Sequence, residues 1–158
     1  MTEETIAAAL EREHNEIDGQ IAAFVAGLKV GEIRAEPITR AMAALKRHIY
    51  IEEAFLFPPM RNGGLTMPIF VMIREHGDMW RMMDVLAQLV ASGADRTAVR
   101  DVCEQMVVAL ESHNVKEEAV IYPQVEGSFT PEAEEEMKRF LATGTTPEGW
   151  VCQAVAPR

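Results

Sequence analysis

The chain has 158 residues, 48% of them hydrophobic and 25% charged, with a formal net charge of −10, which suits one domain large enough to bury a core. An acidic balance argues against nucleic acid as a partner, because phosphate binding needs a basic face. No apolar run approaches the roughly 18–20 residues of a membrane span, and the acidic start MTEETIAAALEREH lacks the basic region of a signal peptide. No membrane partner is expected, and the cytoplasm is the expected compartment.

Glycine and proline divide the chain into helix-length segments. Segment A runs roughly from Thr2 to Leu28 and is followed by Gly31. Pro37 opens segment B, which runs to about Phe57, where Pro58-Pro59 stops or kinks it. Asn62-Gly63-Gly64 forms the next turn. Segment C starts near Pro68 and ends near Ser92-Gly93; segment D runs from about Asp95 to Tyr122 and stops at Pro123. Thr130-Pro131 pairs an N-cap residue with a first-turn proline and opens a short acidic helix ending near Thr143-Gly144. The domain boundaries expected are therefore 1–143 for the helical body and 144–158 for a non-helical tail.

The apolar positions of all four long segments alternate in steps of three and four, the seam of a packed bundle. They read Ala7, Leu10, His14, Ile17, Ile21, Phe24, Leu28 in A and Ile38, Ala41, Leu45, His48, Glu52, Phe55 in B. They read Ile69, Ile73, His76, Trp80, Met83, Ala87, Val90 in C and Val99, Cys103, Met106, Leu110, His113, Glu117, Val120 in D. No segment keeps a period of two, so strands are not expected. The fold class is all-α: an up-down-up-down four-helix bundle with a short fifth helix. Of the two cysteines, too few for a disulfide framework, Cys103 reads as a small core residue and Cys152 as a free thiol in the tail.

One phrase occurs twice. His48 to Pro58 and His113 to Pro123 both fit H-x-x-x-E-E-A-x-x-[FY]-P. Residues i and i+4 share a helix face, so each copy aims an imidazole and a carboxylate at one point. The other two histidines, His14 and His76, also lie on seams near mid-helix, so all four histidines meet at one depth. No Lys or Arg stands on a seam to compensate Glu52 or Glu117, and an uncompensated buried carboxylate costs several kcal/mol. A multivalent cation is the simplest compensation. Four imidazoles and two carboxylates suit iron, manganese or zinc. Six ligands suit two ions: two histidines each, with both carboxylates bridging. An oxo or hydroxo bridge would leave one open position per ion.

At these residues the chain resembles the hemerythrin and HHE cation-binding family, over about residues 5–125. The resemblance implies a non-haem di-iron centre bridged by Glu52 and Glu117, with His14 and His48 on one iron and His76 and His113 on the other. Oxygen carriers of the family have a second histidine four positions after the one matching His76. Here that position is Trp80, which is expected beside the metals as core filler or as a bulky wall of the pocket. The set of four histidines and two glutamates is closest to the di-iron domain of iron-centre repair proteins, as is the segment Pro68 to His76. Those proteins also carry a short cysteine-containing domain that these 158 residues do not include.

Glu53 and Glu118 read as solvated surface, with hydrogen bonding to the imidazoles as the alternative. Asp18 is a weaker candidate near the site. Tyr50 reads as an interface or surface residue, and the methionines as core packing. The function expected is binding of, or reaction with, dioxygen, nitric oxide or peroxide at an open iron position. Repair or stress-response activity, and a metal or oxygen sensor acting through a partner, are the alternatives. The sequence supplies no evident general acid, and enzyme turnover stays open.

Overall fold

The computed structural model describes residues 3–157; Thr2, expected to begin segment A, and Arg158, the end of the tail, lie outside them. Six α-helices lie among the described residues: α1 (Ile6–Lys29), α2 (Ala35–Ile51), α3 (Phe57–Arg61), α4 (Thr66–Ala91), α5 (Arg96–Lys116) and α6 (Pro131–Thr143). No strand occurs among the described residues, and no helix among them is long and apolar enough to cross a membrane. The connections at 30–34, 62–65 and 92–95 are short, so successive long helices run antiparallel. α1 packs on α2 and α5, and α4 packs on α5 and α2, closing an up-down-up-down bundle with α6 against its side.

Side chains cap the starts of α1, α5 and α6. Thr5 Oγ1 accepts the Ala8 N–H at 3.1 Å, Asp95 Oδ1 that of Ala98 at 2.9 Å, and Thr130 Oγ1 that of Ala133 at 3.1 Å. Each satisfies a donor that has no partner within the helix.

Both copies of the repeated phrase depart from α-helical geometry at the glutamate. Residues Glu52–Leu56 and Glu117–Ile121 form π-helical turns, in which the Phe57 N–H reaches the Glu52 carbonyl and the Tyr122 N–H that of Glu117. The prolines explain the position. Pro58 and Pro123 have no N–H to donate, and in a regular helix their rings would crowd the carbonyl four residues back. A wider turn just ahead relieves that crowding. It also moves the seam by one residue, which corrects the expected pattern. Leu56 and Ile121 are fully buried, whereas Phe55 is half-buried and Val120 is 43% exposed. In α4 the seam slips similarly from Ala87, which is exposed, to Leu86, which is buried. A helix of 3.6 residues per turn drifts from a strict three-four spacing over several turns.

The apolar core has two parts. One holds Ile17, Phe24, Leu45, Ile49, Met79, Met83 and Leu110; the other holds Leu10, Ile51, Leu56, Ile73 and Ile121. A polar layer of histidines and glutamates lies between them. The tail, residues 144–157, is not helical and is half exposed, but it is anchored at a few side chains. Cys152 is fully buried, and Trp150 meets Trp80 and Tyr50 edge-on, with centroids 5.7 and 5.0 Å apart. Arg47 ties α6 down through the carbonyls of Phe140, Leu141 and Gly144 at 2.7, 3.0 and 3.1 Å.

Candidate metal centre

His14, His48, Glu52, His76, His113 and Glu117 are all at most 2% exposed and meet in the polar layer. Four helices each contribute one imidazole, and the two π turns begin at the two carboxylates. The His14 and His48 Nε2 atoms are 3.0 Å apart, and the His76 and His113 rings lie 4.9 Å apart between centroids. Glu117 spans both pairs, with Oε1 at 3.1 Å from His14 Nε2 and Oε2 at 3.3 Å from His113 Nε2. Glu52 Oε1 lies 3.4 Å from His48 Nε2 and 3.3 Å from His76 Nε2. Two groups could each hold a metal ion: His14, His48 and Glu117, and Glu52, His76, His113 and Glu117. The two share Glu117.

Behind this layer runs a closed ring of carboxylates. Glu13 on α1 meets His48 Nδ1 on α2 at 2.9 Å, and Glu53 after α2 meets His76 Nδ1 on α4 at 2.6 Å. Glu75 on α4 meets His113 Nδ1 on α5 at 3.1 Å, and Glu118 after α5 meets His14 Nδ1 on α1 at 3.2 Å. Each helix thus orients the imidazole of its neighbour. An Nδ1 occupied from behind leaves Nε2 facing the interior, as in many metal sites. Arg47 braces Glu13 at 3.2 Å, and Lys116 braces Glu75. Glu53 therefore corrects its reading as solvated surface: its side chain is only 5% exposed. Glu118 keeps a 38% exposed side chain while making its bond.

The donors fit a cation. His76 Nε2, Glu52 Oε1 and Glu117 Oε2 are buried without a hydrogen-bond partner, a costly state for polar atoms. Burial pushes the Glu52 carboxyl up, and the adjacent Glu117 adds to the shift. Burial would raise Glu117 too, but His113, His14 and His48 outweigh it and hold Glu117 well below the usual range. Burial opposes charge on His48, yet Glu52, Glu117 and Glu13 carry it up to about 10. His113 is likewise carried up to about 10, by Glu117, Glu75 and Glu52 against burial. Imidazoles ligate metal in their neutral form, so a metal held here would compete with protons for these nitrogens.

The family model for the hemerythrin HHE cation-binding domain matches residues 5–125. The chain belongs to this family. Comparison with curated proteins gives no match, and neither does comparison with solved structures. The match to the hemerythrin HHE domain covers the whole polar layer and ends just after the second repeated phrase. It agrees with a cation-binding, all-helical protein.

Trp80 is core filler, buried in the cluster with Phe24, Leu45 and Met83, and its ring also meets Trp150 and Lys46, whose Nζ lies 4.6 Å above it. It anchors the tail. Tyr122 is the residue that seam reasoning missed. Its hydroxyl lies among His14 Nε2, His48 Nε2, Glu52 Oε2 and Glu117 Oε1, at 3.1, 3.2, 3.0 and 2.9 Å. Five residues past Glu117, it would sit about 140° off that glutamate's face on a regular α-helix. The π turn winds it back. The available signal was the proline that follows it. Asp18 makes no hydrogen bond to any of the six; burial raises its carboxyl.

Proposed function

We propose that this chain is a non-haem di-iron protein that binds or reacts with a small molecule, dioxygen, nitric oxide or peroxide, at an open iron position. The reading rests on one observation: a fully buried layer of four imidazoles and two carboxylates with no Lys or Arg among them. His14 and His48 would hold one ion and His76 and His113 the other, with Glu117 and Glu52 bridging. Manganese or zinc would suit the same donors. The ions would supply a Lewis-acidic, redox-active centre open to a diatomic ligand or a peroxide. The protein's part is to orient the imidazoles through the carboxylate ring and to exclude bulk water with the apolar clusters on either side. Two buried free thiols fit a reducing compartment such as the cytoplasm. Elemental analysis of native protein, with absorption spectra under air and under nitric oxide, tests the proposal. Two irons per chain and a spectral change on exposure to at least one of these molecules are expected. A stoichiometry well below two in fully loaded protein would falsify the binuclear reading.

A second reading, a sensor acting through a partner, draws on the tail. The Gln153 N–H donates to Glu53 Oε1 at 2.8 Å, and the other oxygen of Glu53 holds His76. Metal occupancy would then be felt at the tail surface. Metal bound only by the folded chain stabilises it by about 2.7 kcal/mol at a free concentration one hundred times Kd. This reading expects chelation to lower Tm and to raise protease sensitivity in residues 144–157 first. An unchanged cleavage pattern counts against it.

A further inference from the structure

We infer that Tyr122 is a seventh metal-coordinating residue, which completes the ion position of His14 and His48. This rests on the two-ion reading above and refines it.

The geometry is that of a coordination shell. Nitrogen and oxygen donors bind such ions at about 2.0–2.2 Å, so neighbouring donors lie roughly 3.0 Å apart at right angles and 3.4 Å apart in a tetrahedron. Tyr122 Oη stands 2.9–3.2 Å from all four of its neighbours. Among those neighbours His14 Nε2 lies 3.0 Å from His48 Nε2 and 3.1 Å from Glu117 Oε1, while His48 Nε2 and Glu117 Oε1 are 4.0 Å apart, near the roughly 4.2 Å of donors on opposite sides of an ion. Tyr122 Oη thus stands beside every member of the group His14, His48 and Glu117 that could hold an ion. In the metal-free protein the hydroxyl donates to Glu52 Oε2 or Glu117 Oε1, and its oxygen already stands among the donors that an ion would draw together.

The second ion position is built differently. In the first copy of the repeated phrase the residue matching Tyr122 is Phe57. Its ring stacks on His76, with centroids 5.8 Å apart and planes 14° apart. It offers no donor. The group around His76 and His113 counts four residues with Glu52 and Glu117, and the group around His14 and His48 only three with Glu117. Tyr122 brings the smaller group to four. On coordination, the Tyr122 O–H bond is replaced by an oxygen–metal bond and the proton passes to solvent.

The test uses full-length protein loaded with iron and oxidised in air, read by visible absorption and resonance Raman. A phenolate-to-iron charge-transfer band with enhanced tyrosine ring modes is expected. The chain has two tyrosines, so Tyr50→Phe should keep the band and Tyr122→Phe should abolish it at unchanged iron content. Two irons per chain without tyrosine modes in the wild-type protein overturn the assignment and leave the two-ion reading standing. Persistence of the band in Tyr122→Phe, or its loss in Tyr50→Phe, also overturns it. Iron content well below two in the wild-type protein overturns both.

Discussion

Glu53 bonds to His76 across the boundary between α2 and α4, at 2.6 Å, and its second oxygen receives the backbone N–H of Gln153. One carboxylate thus joins a candidate metal ligand to the tail. Replacing Glu53 by Ala should loosen both. Loss of such an outer carboxylate typically lowers metal affinity 10–100-fold. Glu118→Ala, which removes a longer and more exposed contact to His14, should cost less. Competition titrations against a metal-sensitive dye would rank the two, and the opposite order would discount the role of burial.

Gly77 permits the tail's approach. A Cβ at this position would stand 2.7 Å from the Ala154 Cβ, inside contact distance. Glycine inside a helix costs roughly 0.5–1 kcal/mol relative to alanine, so it needs a packing reason, and Ala154 supplies one. Gly77→Ala should favour α4 but displace the tail. The expected readout is faster amide exchange at residues 150–155 without loss of helix by circular dichroism. Unchanged exchange there would mean that the tail yields elsewhere.

Glu52→Gln separates fold from metal. The amide keeps the carboxylate's shape and removes its repulsion with Glu117. Burial and Glu117 already push the Glu52 carboxyl toward its neutral form, which an amide of the same shape reproduces. The metal-free variant should therefore unfold in urea at nearly the same concentration as the wild type. Bound metal should fall below two per chain. A large loss of stability in the metal-free protein would instead assign Glu52 a structural role, through its contacts with His48 and His76.

The two thiols should be inert in the native protein. Cys103 and Cys152 are both fully buried, and burial pushes each thiol up to about 11. A thiol-specific reagent at neutral pH should label neither quickly and both in denaturant. Any variant that frees the tail should expose Cys152 before Cys103. Mass spectrometry of partially labelled protein distinguishes the two orders.

Much of the site could be read from the sequence. Helical periodicity is a local property, and the i, i+4 pairing of His48 with Glu52 and of His113 with Glu117 fixes a shared face before any tertiary contact exists. His14 and His76 follow from the same seams, and the cap at Thr130 follows from side-chain chemistry within one turn. The sequence determined that four imidazoles and two carboxylates share one layer.

What only the tertiary structure decided lies between helices or depends on a change of helical pitch. Glu13 and Glu75 each sit next to a histidine in sequence, but each serves a histidine of another helix. No spacing within one segment reports that. Tyr122 and Phe57 reach the polar layer only because π turns rewind them, and their opposite chemistry makes the two halves of the repeat unequal. The tail's burial depends on a long-range match, Gly77 with Ala154 and Trp80 with Trp150. Local sequence dictates which residues face inward; the distances at which they meet are set by how the helices pack.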